Sequence, residues 1–290
     1  MVRYNSTCSS GSLFAIMVAV LAIALFAIIV MWPSGAAKTV VAKVPDTPLT
    51  QTLNDRETHQ YLAALHRVKP KFANKLQARG EEAIASGATK DELAVLVLET
   101  YSTAVEEDLF YLLNADVKHI ENILEMSERG LSTLSSKAPQ YCRPSSYVRF
   151  ALMEPDAIAT EMASLLGYDS GGYHWMLQFN TASLEAIESG RDKPKKYGRL
   201  RPQDEMALQN TMMSLMSNPQ VGRLMALQGK SQTEQQRAAM NMDFCGLGTD
   251  VLTIVNALPT ETKARLLGEL QHQAKGTDLK QMMRMVQSGI

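Results

Sequence analysis

Apolar residues follow two patterns along this chain: one unbroken block near the amino terminus, then helical spacing almost throughout the remainder. The block is Leu13–Trp32, LFAIMVAVLAIALFAIIVMW, 20 residues without a charged or strongly polar side chain. At 1.5 Å per residue, a helix of this length crosses a hydrocarbon core of ~30 Å. The pattern predicts a tail (1–12), a transmembrane anchor (13–32) and a tether (33–50) leading into a larger body. A cleaved secretory signal has a shorter apolar core, roughly 7–15 residues, so the block favours a retained anchor. Pro33-Ser34-Gly35-Ala36-Ala37 nevertheless offers small residues that a signal peptidase could accept.

Beyond residue 50 the apolar positions recur at i, i+3 and i+4. Thr89-x-x-Glu92 reads as a capping box that opens a long helix carrying Leu93, Leu96, Val97, Tyr101 and Ala104 on one face. Val117, Ile120, Leu124 and Leu131 repeat the spacing. Pro139 and Pro144 then break it around Cys142, and helices resume near 155–166 and 175–187. The next interruption is 191–201, with Pro194, Gly198 and a dense basic run. Further helices are predicted at 203–216, 220–227, 232–244, 249–257, 261–272 and 278–286. Ser231-x-x-Glu234 forms a second capping box, and Pro202 and Pro259 stand where first-turn prolines belong. No sustained period-two alternation or hairpin signal occurs. The fold class is therefore all-α: one transmembrane helix, then an irregular bundle, either continuous or divided into a lobe at 51–190, a basic linker at 191–201 and a Met-rich lobe at 202–290.

Charge sharpens this division. Residues 51–190 carry 12 basic and 20 acidic side chains, a balance of −8, whereas 191–201 carry six basic and one acidic. A mildly acidic body excludes nucleic acid as a general partner. The six cations Arg191, Lys193, Lys195, Lys196, Arg199 and Arg201 are the candidate contact for an anionic surface, either lipid head groups or an acidic protein. Around the anchor the cations nearly balance, with Arg3 before it and Lys38 and Lys43 after it. The short leading tail and long body point to translocation of the body. The expected location is thus a bacterial inner membrane, single-pass, with the carboxyl-terminal domain periplasmic.

Three cysteines are present. Cys8 precedes the anchor, while Cys142 and Cys245 lie far apart in the body, where an oxidising compartment favours a disulfide between them. Ten of the 17 methionines fall in 202–290, clustered at Met212, Met213 and Met216, at Met240 and Met242, and at Met282, Met283 and Met285. Thioethers fill helical cores, line adaptable partner grooves or bind Cu(I), so Met212, Met213, Met216, Met240 and Met242 are also weak metal candidates. Tyr168, Tyr173, His174 and Trp175 surround two glycines and form a candidate ligand loop. Asp116-x-x-His119 and Glu269-x-x-His272 have the spacing of di-iron bundles, which would also need carboxylates such as Glu99, Glu106 or Glu107. Chance accounts for both pairs in a chain with this many acids.

Glu188-Ser189 resembles the catalytic Glu-Ser pair of lytic transglycosylases. The glycine-rich segment of that family is replaced here by Lys, Arg and Pro, and its activity does not carry over. G-x-S-x-G, H-E-x-x-H and P-loop patterns are missing from the sequence. No catalytic residue and no cofactor is implied. The sequence is best read as a membrane-anchored, non-enzymatic interaction protein (scaffold, adaptor or assembly factor) with a protein partner. An envelope enzyme or a Met-based copper protein is the alternative.

The topology is directly testable. Protease added to spheroplasts should digest the body, and in undigested membranes the chain should resist extraction by carbonate. Full protection of the body would refute its translocation; release into the soluble fraction would refute the anchor.

Overall fold

The computed structural model describes residues 46–105, 108–143, 165–226 and 242–274, with isolated positions at 145, 231, 233, 234, 237 and 240. The expected tail, anchor and most of the tether lie outside these residues, as does the helix expected at 278–286. No helix among the described residues is long and apolar enough to cross a membrane. The chain divides into two units, Trp32–His272 and Met1–Met31 with Gln273–Ile290. Nearly all of the second lies outside the described residues, and the architecture below is that of the first.

The described residues are helical, without strands. The first element, α1 (Pro48–Thr52), begins inside the segment expected to be tether. Thr47 and Thr50 cap each other reciprocally and Pro48 sits in the first turn, so a short helix is locally specified. Its Leu49 and Leu53 are fully buried. Leu49 reaches the core because Gly80 faces it: a Cβ at Gly80 would stand 3.0 Å from a Leu49 methyl. α2 (Arg56–Val68), α3 (Pro70–Ala85) and α4 (Lys90–Val105) follow. The capping box of α4 is present, with the Thr89 N–H donating to Glu92 at 2.7 Å.

A 3₁₀ turn (Leu109–Asn114) leads into α5 (Val117–Lys137), and a second (Pro139–Cys142) follows it. The spine of the unit is α6 (Gly171–Asp192), which packs against α2, α4, α5 and the first 3₁₀ turn. Tyr173, Leu177, Leu184 and Ile187 join the core built by α1 to α4. On another face, Trp175 stacks on Phe179 at 5.1 Å, and its indole N–H donates to the Met126 carbonyl of α5. A helix buried on several faces loses the clean amphipathic stripe of a surface helix.

The remaining helices are α7 (Pro202–Met216), α8 (Pro219–Met225), α9 (Phe244–Asn256) and α10 (Thr260–Ala274). Residues before and after the basic segment pack together: α9 lies along α5, the most extensive helix pairing of the unit. The expected Cys142–Cys245 disulfide is present and joins the second 3₁₀ turn to the start of α9. Both cysteines are buried. Asp243 caps α9 through the Gly246 N–H and also accepts from Ser135 of α5.

The basic segment runs extended from the end of α6 to α7 and is docked along its length. The Lys195 N–H donates to the Asn114 carbonyl, and the Tyr197 hydroxyl donates to the Ala115 carbonyl. From α10, Gln271 accepts from the Tyr197 N–H and donates to the carbonyls of Leu113 and Lys195. Glycine makes this approach possible, because a Cβ at Gly268 of α10 would collide with the Gly198 carbonyl. The segment then hands over to α7 through Asp204. That carboxylate is 1% exposed and accepts from the Arg201 N–H, Thr262 and Arg265, the last at 2.7 Å.

Two stability outcomes are expected. The Cys142–Cys245 bridge closes a loop of 103 residues. Its loss should therefore cost at most about 4–5 kcal/mol in the chain-entropy account. Replacing both cysteines by serine should lower Tm by on the order of 10 °C. An unchanged Tm would show that the α5–α9 packing suffices alone.

The hydrogen bond from Arg265, reinforced by Thr262 and the Arg201 N–H against the opposing effect of burial, holds the Asp204 carboxyl down to about 2. A depressed carboxyl stabilises the fold above its unfolded pKa and loses that contribution as pH falls through the folded value. Asp204→Asn should destabilise the protein by on the order of 3 kcal/mol near neutrality. The gap between variant and parent in urea melts should hold above about pH 4 and close towards about pH 2. A gap that persists unchanged to pH 2 would exclude the ionised Asp204 as its source.

Candidate functional site

The amino-terminal ends of α2 and α6 lie side by side and bring Asp55, Glu57 and His174 together. Asp55 caps α2, accepting from the Thr58 N–H at 2.8 Å and the Thr58 hydroxyl at 2.6 Å. Ser170 caps α6, accepting from the Tyr173 N–H. These caps fix where the next residues of each helix point. The Tyr173 and Thr58 hydroxyls share a hydrogen bond of 2.6 Å, so Asp55, Thr58 and Tyr173 form a short polar chain. Burial, together with the negative charge of Asp55, keeps the Tyr173 phenol protonated, although its bond to Thr58 works the other way.

His174 sits at the mouth of this group, 27% exposed. Its Nε2 lies 4.0 Å from Asp55 Oδ1 and 3.7 Å from Asp169 Oδ1, beyond hydrogen-bond range of either. Asp169 adopts a left-handed backbone, φ 66°, a conformation Asp tolerates better than most residues. Glu57 joins from α2 and accepts from the Gln178 amide at 3.4 Å, one turn beyond His174 on α6. Ligand atoms of Asp55, Glu57 and His174 all lie within 4.8 Å of one another.

The expected ligand loop is thus partly helix. Gly171 and Gly172 open α6, so Tyr173, His174 and Trp175 belong to its first turns. Tyr173 and Trp175 are fully buried core residues. Tyr168 remains in the loop, where its N–H donates to Asp91 and its ring lies 4.5 Å from the Lys90 ammonium. Of the four residues, His174 is half-buried and its Nε2 makes no hydrogen bond. Asp55 and Glu57 escape the sequence pattern because they lie more than a hundred residues away on another helix.

The basic residues fare differently from one another. Arg191 caps a neighbour, donating to the Val68 carbonyl, and pairs with Asp192. Arg199 pairs with Glu269 at 2.5 Å and Lys195 approaches Asp116 at 3.7 Å. Burial works against ionisation of Glu269, but Arg199 and the Leu200 N–H outweigh it and hold the carboxyl below its usual range. Lys193, Lys195, Lys196, Arg199 and Arg201 are exposed.

The methionines also separate. Met242 is buried and Met212 and Met240 are half-buried, while Met206, Met213 and Met216 of α7 are 61%, 57% and 51% exposed. Only Asp204 and Leu208 of that helix are buried.

Neither Asp116–His119 nor Glu269–His272 belongs to a group of three metal-ligating side chains among the described residues. Cys142, Asp243 and Cys245 do form such a group, but the disulfide consumes both thiolates. Glu99 is described but lies in neither group, and Glu106 and Glu107 lie outside the described residues. Glu188 forms an ion pair with Arg67 at 2.8 Å, and the Ser189 hydroxyl accepts from the Asp116 N–H. Both members of the Glu-Ser pair therefore serve as structural ties. One turn earlier, burial raises the Glu185 carboxyl despite the opposing charge of Arg67.

No protein-family model, curated protein or solved structure matches this chain.

Proposed function

We propose that this protein is a membrane-anchored helical interaction protein of the bacterial envelope, and that α7 carries its docking face. The reading is supported by the exposure of Met206, Met213 and Met216, which recur at i, i+7 and i+10 along one helix. Large apolar side chains gathered on one solvent-facing stripe mark an interaction surface more often than scattered ones do. Methionine suits the role because its unbranched, polarizable side chain repacks around different partners. The chemistry fits a partner helix presenting its own apolar stripe, laid against α7 as helices pack ridge into groove. The exposed Lys193, Lys195 and Lys196 offer a second contact, to an anionic surface, from a segment already ordered by its docking.

Photo-crosslinking in native membranes tests the docking face. A photoreactive residue at Met213 should yield a discrete adduct, while one at exposed Arg79 on α3 should not. Adding Met206→Ser and Met216→Ser should abolish the adduct and change stability by about 0.5 kcal/mol or less, as expected of surface positions. Equal adducts at both sites, or none at 213, would remove α7 as the docking face. A large loss of stability would show that the methionines belong to the fold instead.

A further inference from the structure

We propose a divalent transition-metal site, independent of the α7 docking face, formed by Asp55, Glu57 and His174, with Zn²⁺ as the ion that its ligand set fits best. The argument begins with what each group can do. Asp55 and Glu57 offer carboxylate oxygens, which only accept when ionised. His174 Nε2 is inaccessible to solvent as an atom and has no hydrogen-bond partner. One helical turn further along α6, Gln178 donates its amide N–H to Glu57. Buried polar atoms are nearly always satisfied, so an orphaned ring nitrogen beside two carboxylates requires an explanation. What the three groups share is acceptor capacity. What they lack is a positive centre.

A proton on His174 does not supply it. Nε2 is 4.0 Å from Asp55 and 3.7 Å from Asp169, too far for an N–H donor to reach either oxygen. A metal ion spans such gaps, because two ligands each about 2.0–2.2 Å from one ion stand up to about 4.4 Å apart. The Asp55–Glu57–His174 atoms, all within 4.8 Å of one another, need only small rotations to close on a common centre. The mixed set of one imidazole and two carboxylates selects among cations. Mg²⁺ and Ca²⁺ prefer all-oxygen shells, whereas Zn²⁺ takes imidazole and carboxylate together in four-coordinate geometry.

The surroundings hold the ligands in place. The Thr58 hydroxyl, itself hydrogen-bonded to Tyr173, donates to the second oxygen of Asp55 and orients its carboxylate, an arrangement that raises affinity at metal sites. Asp169, held beside His174 by its left-handed backbone, adds negative charge and stands near enough to reach the ion after a side-chain rotation. Three protein ligands on two helices leave a fourth position to water or to Asp169.

Calorimetric titration of the metal-stripped full-length protein in detergent with ZnCl₂ tests the site. One Zn²⁺ should bind per chain, and millimolar Mg²⁺ or Ca²⁺ should not displace it. His174→Ala and Asp55→Asn should each weaken binding by more than about 100-fold, beyond the loss caused by removing an outer hydrogen-bond partner. Asparagine keeps the cap of α2, so Asp55→Asn removes the ligand charge without unmaking the helix. Unchanged melting of the metal-free variants confirms that they fold. Absence of saturable binding in the parent protein, binding retained in folded His174→Ala, or preference for Mg²⁺ or Ca²⁺ would each overturn the assignment.

Discussion

The path of the basic segment depends on one side-chain amide. Gln271 of α10 accepts from Tyr197 and donates to the carbonyls of Leu113 and Lys195, tying α10, the 193–201 segment and the first 3₁₀ turn together. An extended segment has no internal ladder to satisfy its backbone, so its N–H and C=O groups must find partners nearby. Gln271 supplies a donor and an acceptor at once, and no apolar residue could replace it there. The turn of α10 just before Gln271 is arranged around this need. Gly268 removes the Cβ that would block approach, and Glu269 receives Arg199 and the Leu200 N–H. A comparable clearance at Gly190 lets the Tyr111 carbonyl close on α6.

That constraint separates the chemistry of the molecule along α6. A helix of 22 residues is about 33 Å long at 1.5 Å per residue. Its amino-terminal end carries His174 with Asp55, Glu57 and Asp169, and its carboxyl-terminal end feeds Arg191 and Lys193 into the basic segment. The macrodipole favours both placements, since the partial positive charge faces the carboxylates and the partial negative charge faces the cations. The mutual repulsion of Asp55, Glu57 and Asp169 is thereby reduced, and the acidic group stays compatible with folding.

Local signals in the sequence are reproduced where the determinant is local. The capping boxes at Thr89–Glu92 and Ser231–Glu234 are present as hydrogen bonds, and Pro202 occupies the first turn of α7. The Cys142–Cys245 pairing was legible because the body holds only two cysteines. Composition misleads where docking overrides it. Pro194, Gly198 and a run of cations describe a solvated linker, yet partners on α10 and the 3₁₀ turn order the segment, partners no local pattern reveals. The expected tether likewise ends early, because the Thr47–Thr50 box and the approach of Leu49 to Gly80 set a short helix from Pro48. The Gly171-Gly172 pair reads as loop, but a Ser170 cap upstream lets both glycines enter the helix. His174 was visible as an isolated candidate, whereas Asp55 and Glu57 became relevant only once α2 and α6 lay side by side.

The exposed methionines follow from how α7 is attached. A helix usually earns its place by burying an apolar stripe, yet α7 buries only Asp204 and Leu208. It is fastened at its amino-terminal end, where Asp204 accepts from Thr262 and Arg265 of α10, and it also packs against α9. Polar fastening at one end is what frees the other face. A helix held by a broad apolar seam would have its methionines inside; one held by a buried carboxylate can display them. The ion pair at Asp204 and the stripe at Met206, Met213 and Met216 are thus two halves of one arrangement.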